Sequence, residues 1–314
     1  MFRILSIDGG GVRGYLAASI LANIEIYLNA VTREEVPLGL RFDFIAGTSA
    51  GGLIALGLAH GRTALEIKNL FTSFVPKVFG ADNRRSKLCS IRNPLYGSEP
   101  LEEAIREFFG TDELKDLVRD VCVTSVSLID AKPRLHKTDY FARNIGRLNE
   151  SLVDVSLATT AAPTYLAAHS SEYSANLVDG GLAANNPSVI AYIDALQFER
   201  ESKRDCPAPT SDKELMLVSV GTGQPGPLPY KYENLINGGW FDWLGAIHEV
   251  VLLSQSRLVH DQVKFLLKER YLRIDPVLNA SVKLDDAEHF EGLRNKADID
   301  TQVELFLKEY MVEC

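Results

Sequence analysis

Apolar positions along the 314 residues fall into short continuous runs separated by longer stretches with helical spacing. Phe2 to Ile7, Phe42 to Ala46, Val121 to Ile129, Leu177 to Asp179, Leu215 to Val220 and Tyr271 to Asp275 have the length and apolar or β-branched content of strands. Lys132-Pro133-Arg134 reads as a break after the third of these, and Thr138 to Ala142 as one more strand candidate. Helical spacing is found from Tyr15 to about Leu28, Leu53 to Ala59 and Ala64 to Phe74. It recurs from Glu99 to Phe109, with Ser98 as cap and Gly110 as stop. Residues 154–166 read as a short helix of small residues ended by Pro163, and Pro187 opens another that runs to about Phe198. Leu235 to Leu267 reads as mostly helical, as do stretches around Glu288 to Lys296 and Ile299 to Met311. Strands alternating with helices throughout predict an α/β fold with a mainly parallel sheet.

The second strand runs into Gly47-Thr48-Ser49-Ala50-Gly51 and then a helix. A Gly-x-Ser-x-Gly pentapeptide between a strand and a helix is the context of a nucleophile elbow. So tight a turn strains the serine backbone and requires nearly side-chain-free neighbours, which Gly47, Ala50 and Gly51 are. The helix beginning near Ala50 aims unpaired N–H groups at the place where an oxyanion would form. Ser49 is therefore the candidate nucleophile.

The first strand leads into Asp8-Gly9-Gly10-Gly11-Val12-Arg13-Gly14. Gly9, Gly11 and Gly14 have the spacing of a dinucleotide-binding turn, but the second strand ends in Gly47-Thr48-Ser49 and not in the acidic residue that would hold a ribose. The other use of such a loop is as an oxyanion hole, Gly10 and Gly11 offering amides and Arg13 supporting the loop or the developing charge. Asp179, followed by Gly180 and Gly181, stands at a strand end and could accept the Ser49 proton; an ordinary Asp-Gly turn reads the same way. A Ser/Asp/His triad would instead draw on His248, His260 or His289.

With 46% hydrophobic and 24% charged residues the chain has the composition of a globular protein with a large core. A net charge of −9 argues against a nucleic-acid polymer as partner and against attraction of the whole molecule to an anionic membrane. A basic loop remains, Arg84, Arg85, Lys87 and Arg92 interleaved with Val78, Phe79, Leu88, Ile91, Leu95 and Tyr96; it could meet phospholipid headgroups, though such a run is more often simply a solvated loop. Cys89, Cys122, Cys206 and Cys314 show neither paired nor metal-binding spacing, Asp285-Asp286 reads as a helix cap and not a calcium loop, and no metal or cofactor is expected. The start of the sequence shows no export signal and no stretch reaches the ~20 apolar residues of a span, so a cytoplasmic protein with peripheral membrane contact is expected. No linker divides the chain. One catalytic domain, residues 1–314, is expected, with 225–314 as a mainly helical extension packed on it. The Gly- and Pro-rich loop Gln224 to Pro229 reads as a turn or a lid hinge, and the aromatic cluster Trp240, Phe241, Trp243 and Leu244 as core packing or as part of a cover over an acyl site.

The glycine loop at 8–14, the Ser49 pentapeptide and Asp179-Gly180-Gly181, in that order, resemble the patatin-like phospholipases. Ala161-Ala162-Pro163-Thr164-Tyr165 and Val218-Ser219-Val220-Gly221-Thr222-Gly223 are similar to that family too, so the resemblance covers about residues 2–225. It implies a three-layer α/β/α fold and a phospholipase A type lipid acyl hydrolase. It also implies a Ser–Asp dyad with Ser49 as nucleophile and Asp179 as base, Gly10, Gly11 and Arg13 in the oxyanion loop, and Ala50 supplying the elbow amide. The chain further resembles bacterial patatin-like effectors that attack membrane phospholipid when a cyclic nucleotide binds. That likeness implies a cyclic nucleotide activator and leaves a homo-oligomer open.

Overall fold

The computed structural model describes all residues except 87, 88, 90, 91, 141–147, 199–205, 226–234, 244, 245, 279–281 and 313–314. Its strands are β1 (Phe2–Ile7), β2 (Phe44–Thr48), β3 (Asp120–Ser127), β4 (Lys132–Lys137), β5 (Leu177–Asp179), β6 (Leu215–Val220), β7 (Gln224–Pro225), β8 (Tyr271–Ile274) and β9 (Val277–Leu278). Seven form one sheet in the order β4-β3-β2-β1-β6-β8, with β5 also paired to β3; β7 and β9 make a separate pair. The pairs β1 with β2, β1 with β6, β2 with β3 and β6 with β8 are parallel, whereas β4 and β5 both run antiparallel to β3.

Helices cover both faces of this sheet, and alternate side chains of each strand enter different cores. Leu5 and Ile7 of β1 join a large core with α1 (Gly14–Thr32), α2 (Ala50–Ala59), α3 (Ala64–Phe79), α4 (Glu99–Phe109) and α5 (Leu152–Thr160). Phe2 and Ile4 face the other way, against α7 (Ser188–Ala195) and α9 (Ile247–Leu267), which follow the short turns α6 (Gly181–Ala184) and α8 (Trp240–Trp243). This is a three-layer α/β/α sandwich, as expected, with a mainly parallel sheet. α10 (Thr301–Leu307) closes the first core, and β8 extends the sheet beyond β6.

Several expectations need correction. Lys132-Pro133-Arg134 is not a break but the start of β4, and Thr138 to Tyr140 is not a strand; Ala142 lies outside the described residues. β4 is an edge strand, where a proline costs no interior ladder bond. α3 continues through Pro76 to Phe79 from a capping box made by Thr63 and Glu66. Ser98 stands at the N-cap of α4 without a side-chain hydrogen bond, and α5 starts from a Ser151 cap and ends at Thr160, before Pro163. The stretch 235–267 is interrupted between α8 and α9, and Phe290–Lys296 is 3₁₀. One helix, Gly11–Thr32, is in fact long and apolar enough to cross a membrane, but 67% of its apolar window is buried inside the fold, so here it is a core helix.

The basic loop also differs from expectation. Val78 and Tyr96 are fully buried, Phe79 packs edge-on against Tyr96 at 5.2 Å, and Arg85 donates to the carbonyls of Pro94 and Tyr96. Its apolar residues feed the core instead of facing outward; Lys87, Leu88 and Ile91 lie outside the described residues. So do residues 226–229 of the lid candidate, Leu244, Cys314 and the side chains of Trp240 and Phe241, while Trp243 donates its indole N–H to the Leu235 carbonyl. Cys89, Cys122 and Cys206 form no disulfide among the described residues. Asp285 accepts from the Tyr96 hydroxyl and only Asp286 caps a turn, accepting from the Glu288 and His289 amides.

Candidate active site

Ser49 and Asp179 meet because two strands enter one lane of the sheet from opposite ends. β2 runs beside β3 until Thr48 stands opposite Thr124, and β5 comes the other way until Asp179 stands opposite Ser125. β4 holds the far edge of β3, so the tips of β2 and β5 abut. Ser49 Oγ, on the turn after β2, donates to Asp179 Oδ2 at 2.5 Å across 130 residues of sequence.

The elbow is strained as its sequence predicts. Ser49 has φ 55° and ψ −126°, a conformation rare for a residue with a side chain. Its amide donates to Thr159 Oγ1 on α5, whose hydroxyl donates on to the Thr124 carbonyl, which pins the turn from below. Gly51 lies against the Ile7 and Asp8 carbonyls, and no side chain fits between them. That contact brings the end of β1 and its glycine loop beside the start of α2.

In that loop the Gly9 amide donates to the Asn185 carbonyl and the Val12 amide to the Leu284 carbonyl. The amides of Gly10 and Gly11 have no partner among the described residues, and both glycines line the cavity that holds Ser49 and Asp179. Ala50 lines it too, at the helix start where the amides lack ladder partners. Arg13 does not reach the cavity. Its buried guanidinium pairs with Glu249 on α9 at 3.3 Å, so it ties the loop to that helix. Gly14 opens α1, Gly47 lies in β2, and Gly180 and Gly181 follow the carboxylate.

Asp179 is 6% exposed, and burial pushes its carboxyl pKa up to about 6 against the opposing pull of the Ser49 hydroxyl and the Gly181 amide. The Gly181 N–H donates to Oδ1 at 2.7 Å, leaving Oδ2 for the serine. A carboxyl whose folded pKa is raised from 3.8 contributes full stability below that value and loses it as pH rises to about 6. That interval corresponds to ~3 kcal/mol. Asp179→Asn is therefore expected to stabilise the protein at pH 7–8 and to leave it nearly unchanged near pH 4, as read from denaturant midpoints at the two pH values. Equal destabilisation at both would mean that the hydrogen bonds of the carboxylate outweigh the cost of burying its charge.

No histidine is hydrogen-bonded to Ser49 or Asp179 among the described residues. His260 bonds Tyr271 and His289 bonds Asp286; His248 lines the cavity, and burial lowers its pKa. The remaining walls are apolar, with Phe71, Phe74 and Phe79 from α3, Leu101 from α4, Leu252 from α9 and Leu284. The cavity measures about 50 Å³.

Sequence reading missed the residues that hold this site from a distance. Arg273 on β8 donates to both carboxylate oxygens of Asp8, at 2.8 and 2.7 Å, and to Asp275 and Ser219. Ser256 on α9 donates to Asp8 at 2.6 Å. The signal available was a charged residue inside an apolar strand, Arg273, and an acid immediately before three glycines, Asp8.

A strained serine at a strand–helix turn, bonded directly to a carboxylate beside unpaired loop amides, defines a serine-type hydrolase with no histidine in the contact. A family model described as Patatin-like phospholipase matches residues 5–192, and the chain belongs to that family of lipid acyl hydrolases. A relative named cGAMP-activated phospholipase, from Escherichia coli (strain TW11681), is 39% identical over 91% of this chain and 84% of its own. A second protein of that name, from Vibrio cholerae serotype O1, is 38% identical over 70% of this chain and 64% of its own. Patatin-like protein 2 of Arabidopsis thaliana is 31% identical over 94% and 81%.

Proposed function

We propose that the protein hydrolyses carboxylic esters of glycerophospholipids through a Ser49–Asp179 dyad, as a single catalytic domain whose C-terminal part, 225–314, regulates access. The observation that carries this reading is the 2.5 Å contact from Ser49 Oγ to Asp179 Oδ2 in an apolar cavity lined by the Gly10 and Gly11 loop. Ser49 Oγ attacks the ester carbonyl carbon as its proton passes to Asp179. The oxyanion is held by the amides of Gly10, Gly11 and Ala50. Collapse of the tetrahedral intermediate breaks the ester bond, and the departing alkoxide takes the proton from Asp179. Water then gives a proton to Asp179 as it attacks the acyl-enzyme, and the second collapse returns that proton to Ser49 Oγ and releases the fatty acid. A carboxyl with a pKa of about 6 is a better base than an ordinary aspartate, and burial supplies the difference.

The reading extends to regulation by a cyclic nucleotide, on the strength of relatives with 39% and 38% identity that carry cGAMP activation in their names. An engineered apolar cavity of ~150 Å³ holds one benzene, so a cavity of about 50 Å³ is small for an acyl chain, which supports a resting site that widens before it acts. The active form then meets the membrane peripherally from the cytoplasm, alone or as a homo-oligomer. The test is mass spectrometry of phospholipid vesicles incubated with the protein, with and without cGAMP and a panel of other cyclic di- and trinucleotides, while light scattering follows particle size. Free fatty acid and lysophospholipid are expected only with one nucleotide and never from Ser49→Ala. Full hydrolysis without any nucleotide would remove the regulatory part, and products from Ser49→Ala would remove the dyad.

A further inference from the structure

The long helix α9 touches two cavities. His248 and Leu252, near its N-terminal end, wall the Ser49 cavity. His260, Lys264 and Lys268, near its C-terminal end, line a second cleft of about 890 Å³ whose other walls come from β8 and residues 296–306. That volume falls in the range of small-molecule sites, about 300–1,000 Å³. Leu252 and Lys264 are ~18 Å apart along the helix axis.

The lining of this cleft is specific in kind. Among the described residues Lys264, Lys268 and Lys296 enter no ion pair, so three ammonium groups remain for an anion. The charge of Arg273 is already satisfied by Asp8 and Asp275, and Asp300 accepts the Val303 amide. Glu269, Asp298 and Gln302 offer acceptors, and Tyr271 and Phe306 offer ring faces. Phosphates need the first set, the N–H edges of purines the second, and base faces the third.

The same walls hold the catalytic loop. Arg273 grips both oxygens of Asp8, the residue that opens the glycine loop, from the floor of the cleft. Ser256, between the two ends of α9, donates to Asp8 as well, and Glu249 pairs with Arg13 at the other end of the loop. A shift of α9 by 1–2 Å, the scale on which packed helices switch, would withdraw His248 and Leu252 from the Ser49 cavity.

We propose that this cleft binds the cyclic nucleotide activator and that α9, with Arg273, carries its occupancy to the Ser49 cavity; the assignment rests on the regulatory reading above. The experiment titrates cGAMP into the wild-type protein and into a Lys264→Glu/Lys296→Glu variant by calorimetry, with hydrolysis of a soluble ester measured on the same samples. Both lysines are remote from Ser49, so basal ester turnover and the melting temperature should match the wild type. Affinity should fall at least about tenfold, the effect of losing one charged hydrogen bond, and the rate rise on adding cGAMP should disappear with it. Unchanged affinity in the variant would overturn the cleft while leaving cyclic nucleotide activation standing. No binding of cGAMP, or of any other nucleotide of the panel above, to the wild type would overturn both. Binding that the variant loses but that never changes the rate in the wild type would refute the coupling through α9.

Discussion

Ester hydrolysis by Ser49→Ala, by Asp179→Asn and by the double variant is expected to fall to the same residual level, at least about 10³-fold below the wild type. Two groups that transfer one proton fail as a unit, so the second change adds little to the first. The contact supports a large effect because Ser49 Oγ bonds no other side chain among the described residues, and Oδ1 is committed to the Gly181 amide. Burst kinetics with a chromogenic ester would separate acylation from turnover. The wild-type kcat/KM should also fall about tenfold per pH unit below about 6, where Asp179 gains its proton. Retention of most activity by Asp179→Asn, or its abolition by His248→Ala with the fold intact, would overturn the dyad.

Gly10→Val should cost about 10²–10³-fold in kcat with little change in KM. A β-carbon at position 10 would run into the Thr222 side chain, whose hydroxyl donates to the Gly9 carbonyl. Relief requires the loop to move, and the Gly10 and Gly11 amides then leave the position where the oxyanion forms. The folding cost is that of local overpacking, about 1–3 kcal/mol, too small to unfold a domain of this size under assay conditions. Thermal melts beside the kinetics check the division. A loss of kcat no larger than the loss of folded protein would mean that the loop serves structure alone.

Much of the fold could be read from the chain because a sheet covered on both faces writes continuous apolar strands, and Leu5 and Ile4 need not be told apart to be seen as buried. Ser49 was legible for a local reason, since a strained turn dictates its own small neighbours. Asp179 was only half legible. Asp-Gly-Gly is an ordinary turn until β5 is known to run antiparallel to β3 and finish opposite Ser125. Position in the sheet likewise decided Pro133, which breaks a central strand but sits harmlessly at the edge. Burial of the basic loop's apolar residues was not legible, because nothing local distinguishes a Tyr96 that packs under Phe79 from one that faces a membrane or solvent. Thr159, Glu249, Ser256 and Arg273 act on the site across long separations in the chain, where no pattern of spacing carries a signal.

The abutting tips of β2 and β5 have a consequence for the newly made chain. Synthesis proceeds at about 5–20 residues per second, so the serine elbow exists for roughly 7–26 s before the 130 residues that separate it from its carboxylate have been added. The clamp on Asp8 waits longer still, because Arg273 lies 265 residues beyond it. Contacts of such separation form late in folding. A nascent or truncated chain that ends before Asp179 therefore holds the serine elbow without its carboxylate partner, and ester hydrolysis is expected only from chains that extend past both Asp179 and Arg273.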